Sequence, residues 1–141
     1  MPYEISWLVE KRVILARVYG VANIEMLTEL NEAEHATIVQ GIPLVHLISD
    51  TTKVEKVEVS LKDLHKLAKS FKKPEGMGWY VEVHPSTFNR MISSIALQFA
   101  GARHREFATI EDAIAFLQDV DESLPPMEIL SQYNEIPKEQ R

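Results

Sequence analysis

The chain has 141 residues, 45% of them hydrophobic and 26% charged, with no cysteine and a formal net charge of −6. That size and balance suit a folded domain burying on the order of two thirds of its unfolded surface. The missing cysteines exclude disulfide frameworks, thiolate nucleophiles and cysteine-ligated metal centres, and the negative charge removes the electrostatic basis for general nucleic-acid binding.

Near the start, Glu4, Glu10, Lys11 and Arg12 interrupt any apolar leader. No stretch approaches the roughly 20 apolar residues of a spanning helix, so a cytoplasmic chain without a secretion signal or transmembrane segment is expected. Residues 3–9 alternate imperfectly, and after the charged turn Glu10-Lys11-Arg12 the β-branched run Val13 to Tyr19 reads as a second strand of a hairpin, ended by Gly20. Asn23 is a natural N-cap for a helix bearing Ile24, Leu27, Leu30 and Ile38 inside and Glu25, Glu29 and Glu32 outside, closed by Gly41 and Pro43.

The apolar run Leu44 to Ile48 has the composition of a central strand covered on both faces. Residues 51–59 are polar with Val54 and Val57 interspersed, and they read as a loop. Ser60 then opens a helix with Leu61, Leu64, Leu67, Ala68 and Phe71 on one face, stopped by Pro74 and Gly76. Residues 77–84 alternate as a fourth strand; Ser86 begins a helix with Phe88, Met91, Ile92, Ile95 and Phe99 on one stripe, ended by Gly101. Residues 103–108 make a weak, charged edge strand, and Thr109 caps a helix carrying Ile110, Ala113, Phe116, Leu117 and Val120.

The fold class that follows is α/β: a β-hairpin and then repeated α-β units, giving a mainly parallel five-stranded sheet with about four helices. Residues 1–124 are expected to form a single domain. Pro125-Pro126 starts an extension over 125–141, with a short helix at 127–133 and then a frayed tail. If successive strands are neighbours, same-handed crossovers place most helices on one face and leave part of the other bare.

Five polar groups qualify as candidate ligand contacts. His84, Ser86 and Thr87 stand at the carboxyl end of a parallel strand and at a helix N-terminus, where free N–H groups attract anions. His46 and Glu82, with Arg17, would bring a base, an acid and a cation together if strand register put them on one face. Ser60 with Asp63 reads as a capping box; Thr51 and Thr52 are loop hydroxyls. Glu32 and His35 have a metal-ligand spacing but lack the second copy that di-metal sites require, and His65 and His104 have no ligand-spaced neighbours, so neither metal nor cofactor is expected. Lys62, Lys66, Lys69, Lys72 and Lys73 line one side of a helix and its exit, a solvated face or else a contact for an anionic partner or peripheral membrane surface.

The element order, with its opening hairpin and the polar segment after the strand at 44–48, resembles the STAS-like family that includes bacterial anti-sigma-factor antagonists. The resemblance covers residues 3 to about 121. In that family the helix after the third strand begins at an Asp-Ser-Ser-Gly-Leu-like motif bearing a phosphorylated serine; here the stretch is Glu58-Val59-Ser60-Leu61-Lys62-Asp63-Leu64, and Ser60 and Leu61 match. The resemblance implies a non-catalytic regulatory module, phosphorylation at Ser60, and a partner protein. Its divergent stand-alone branch implies a small apolar or anionic ligand. Two alternatives remain: a small enzyme using acid–base chemistry at His84, Glu82 and His46, and a self-associating homodimer.

Overall fold

The computed structural model describes residues 2–84, 101 and 103–127. Its elements in chain order are β1 (Tyr3–Val9), β2 (Val13–Asn23), α1 (Ile24–Ile38), β3 (Val45–Glu58), α2 (Leu61–Ser70), β4 (Met77–Val83), β5 (Arg103–Phe107) and α3 (Ile110–Val120). The strands lie in the order β1-β2-β3-β4-β5, with β1 antiparallel to β2 and every other pair parallel. This is the expected five-stranded, mostly parallel sheet. The helix expected from Ser86, and residues 128–133 of the one expected at 127–133, lie outside the described residues.

Local chemistry explains where the helices begin. Asn23 accepts a hydrogen bond from the Met26 N–H (2.9 Å), Ser60 from Asp63 (3.1 Å) and Thr109 from Asp112 (3.2 Å), each satisfying one donor of a first helical turn.

Two expectations about strand length need correction. Gly20 does not end β2: it sits at φ +65° where the β2–β3 register shifts, and the strand runs on to Asn23. Nor is 51–58 a loop. It is the outer half of β3, paired with β2 as far as Asn23↔Glu58, whereas pairing with β4 stops at Asp50↔Val83. Among the described residues the sheet beyond Asp50 is a two-stranded ribbon: Val54 and Val57 pack on one side, and exposed Thr52, Glu55, Lys56 and Glu58 give the segment its loop-like polarity.

The sheet is covered on both faces. Ile14, Ala16, Val18, Val45, Leu47 and Met77 pack with Met26, Leu30 and Ile38 of α1. On the opposite face Val13, Leu15, Ile48, Val81 and Val83 pack with Ile110, Ala113, Ile114 and Leu117 of α3. The face expected to be left partly bare therefore carries α3. Crossover handedness constrains helices that join parallel strands, as α1 and α2 do, but α3 follows edge strand β5 and leads into no described strand.

Candidate functional site

The sheet separates the residues expected to act together. His46 lies on the α3 face, 1% exposed, with Nε2 2.8 Å from Asp121 Oδ2 and Nδ1 accepting the Trp79 N–H at 3.0 Å. Both nitrogens are thus engaged, and the accepting role of Nδ1 fixes the proton on Nε2. Arg12 reaches the same Asp121 oxygen at 2.9 Å and donates to Ser123 Oγ (3.0 Å) and the Leu44 carbonyl (3.1 Å). The His46 and Ser123 hydrogen bonds hold the Asp121 carboxyl down to about 2.

Glu82 lies on the other face, beneath α1, with His84 beside it. His84 is fully buried, its Nε2 3.3 Å from Glu82 Oε2 and 4.0 Å from Glu106 Oε1. The acid–base group of His84, Glu82 and His46 is therefore not assembled. Arg17 is also removed from Glu82: it is paired in register with Asp50, on the same face as His46, with its guanidinium 5.5 Å from the Tyr19 ring centre. Ser86 and Thr87 lie outside the described residues.

The structure reveals a cavity that the sequence reading missed. Between α1, α2 and the sheet is a half-open space of about 110 Å³. Its walls are Val18 and Ala22 from β2, Leu27 and Leu30 from α1, Val54 and Val57 from the outer half of β3, and Leu64 and Leu67 from α2. Ser49, Thr51, Tyr80, Glu82, Asn31 and Glu34 add polar atoms. Glu34 stands out because it is 2% exposed and neither carboxylate oxygen has a hydrogen-bond partner. Burial, and then the neighbouring Glu82, push its carboxyl up to about 8, so it is protonated at neutral pH. Burial also pushes the Tyr80 phenol well above its ordinary value, with Glu34 and Glu82 adding to the rise.

A signal for Glu34 was present in the sequence. It stands four residues after Leu30 and four before Ile38, within the apolar stripe of α1, whereas Glu25, Glu29 and Glu32 fall outside it. Asp121 had none, since it meets His46 only through the fold.

Ser60 is exposed at the α2 N-terminus, as are Lys62, Lys66, Lys69, Lys72 and Lys73 along that helix and its exit. Glu32 and His35 project from α1 into solvent, and no group of three or more His, Asp or Glu side chains suited to a metal ion occurs among the described residues. No described helix is long and apolar enough to cross a membrane.

No protein-family model matches the chain, and no curated protein matches it. Solved structures do. An uncharacterized protein of the DUF3478 family with a SpoIIAA-like fold from Shewanella loihica PV-4 matches at TM-score 0.54 and 18% identity, covering 82% of this chain and 93% of that one. The anti-sigma factor antagonist SpoIIAA in its unphosphorylated form matches at 0.53 and 15%, covering 84% and 98%. An anti-sigma factor antagonist from Mycobacterium paratuberculosis matches at 0.51 and 20%, covering 83% and 95%. At these identities the likeness is one of architecture: the chain has a SpoIIAA-like fold.

Proposed function

We propose that the chain is a non-catalytic regulatory module that takes up a small, largely apolar ligand in the cavity beneath α1 and α2 and signals its state to a partner protein. The observation carrying the ligand half is that cavity: an apolar space of about 110 Å³ with an unbonded carboxyl in its wall. Buried polar atoms left without partners cost about 1–3 kcal/mol each, and native proteins keep few of them without a functional reason. Comparable apolar cavities of about 150 Å³ admit a benzene-sized guest. Two carboxyl groups near the space make an anionic guest the least favoured.

Support for the partner half is the fold shared with two anti-sigma factor antagonists. Separation of His46 from Glu82 and His84 by the sheet counts against acid–base catalysis by those three residues.

The test is a titration of the ¹⁵N-labelled full chain with cyclohexanol, followed by amide chemical shifts. Saturable shifts centred on Leu27, Leu30, Leu64 and Leu67 are the expected result. Shifts scattered over the surface would overturn the ligand half, as would the absence of shifts with cyclohexanol and with its charged analogues alike. Native mass spectrometry of freshly purified protein then reads any small molecule retained at one per chain.

A further inference from the structure

We infer that the guest of this cavity is an organic ammonium ion, a small hydrocarbon carrying one positive charge, with the Glu34 carboxyl as its counter-ion. The inference rests on the cavity reading above and adds the charge of the occupant.

The argument is one of complementarity. Glu34 is 2% exposed, lines the space and has no hydrogen-bond partner on either oxygen. Its electrostatic neighbour across the space is Glu82, whose Oε2 also lacks a hydrogen bond and lies 3.3 Å from His84 Nε2. Of the elements facing Glu34, β4 contributes Tyr80 and Glu82, β3 contributes Ser49 and Thr51, and α2 contributes Leu64 and Leu67. None of the described lining residues is Lys or Arg. The walls thus offer hydrocarbon, two carboxyl groups and a few hydroxyl and amide groups and, among the described lining residues, no lysine or arginine to pair with the carboxyls.

An alcohol in this space would satisfy one Glu34 oxygen and leave the carboxyl neutral. A carboxylate would add a third acid. An ammonium ion supplies several N–H donors and a full charge, and its hydrocarbon covers the apolar wall. Alkylammonium groups resemble the lysine side chain, with an ordinary pKa of about 10.4, and enter protonated. Since burial holds Glu34 protonated to about pH 8, binding below that pH must release its proton to solvent: Glu34–COOH and R–NH₃⁺ give the Glu34–COO⁻ ··· ⁺H₃N–R pair and H⁺.

The experiment compares three probes of one shape with the full chain: cyclohexylammonium, cyclohexanol and cyclohexanecarboxylate. Isothermal titration in buffers of different protonation enthalpy counts the protons released. Cyclohexylammonium is expected to bind at one per chain and at least about tenfold more tightly than the other two. It should release about one proton near pH 6 and almost none near pH 9.5. Glu34→Gln should weaken the amine about tenfold or more and leave cyclohexanol binding in place, with Glu82→Gln as a second variant should the first fail to fold. Cyclohexanol or the carboxylate binding as tightly as the amine, or an amine affinity untouched by Glu34→Gln in a folded protein, would overturn the ammonium assignment and leave the cavity reading standing. Failure of all three probes to bind would overturn both.

Discussion

His46 Nε2 and Asp121 Oδ2, 75 residues apart in sequence, lie 2.8 Å apart and tie the end of α3 to the start of β3. The ring belongs to the core and the carboxylate to the surface, with side-chain exposures of 2% and 18%. Asp121→Ala should therefore cost about 2–3 kcal/mol, because it leaves a buried imidazole N–H unpaired and also removes the carboxylate that Arg12 pairs with. Folded Asp121 sits near 2 against an ordinary 3.8, so its contribution is fully present above pH 3.8 and is lost as pH falls toward 2. Urea unfolding at neutral pH and across the acid range measures both, with Asp121→Ala flattening the acid limb.

Glu34 has the opposite sign. Its folded value of about 8 lies above the ordinary 4.5, so the folded state holds a proton that the unfolded chain releases. Stability should fall as pH rises from 4.5 to about 8 and level off beyond, by an amount of order 4 kcal/mol in the absence of ligand. Glu34→Gln removes this slope, making the variant more stable than the parent at pH 8 and little changed at pH 4. Equal slopes for the two proteins in chemical denaturation would show Glu34 to be ionised and solvated.

Gly78 is fixed by its neighbour: a Cβ there would collide with the His46 ring. Gly78→Ala should cost about 1–3 kcal/mol by pushing the ring off the Trp79 N–H. In NMR, the His46 ring resonances should move in this variant, and a wild-type melting temperature would contradict the tight contact.

Ser60 provides a cap whose loss is measurable apart from any modification. Ser60→Ala should lower stability by about 1 kcal/mol, and Ser60→Asn or Ser60→Asp should recover most of it. An Ala variant that keeps its stability yet changes partner binding would assign the hydroxyl a signalling role.

The sequence made the architecture readable because α1, α2 and α3 keep helical stripes and the inner halves of the strands keep continuous apolar runs. Outer β3 reads as a loop because one covered face and one solvated face leave only Val54 and Val57 as apolar marks. The site was harder still. Val45 pairs with Met77 but Leu47 with Tyr80, so two residues of β3 span three of β4. That bulge at Gly78 frees the Trp79 N–H for His46, and no periodicity in the chain announces it. Glu34 was legible as an acid among leucines on α1, but its meaning needed α2 and β4 in place above and beside it.

The ribbon of β2 and β3 past Asp50 has a mechanical consequence. Among the described residues its backbone groups there have no β4 neighbour of the kind that braces the inner half, so this overhang is expected to open more readily than the five-stranded part. Val54 and Val57, which wall the cavity, ride on it. On the proposed cavity reading a guest would enter by parting these two strand ends, and amide protons of residues 54–57 should then exchange with solvent sooner than those of 45–48.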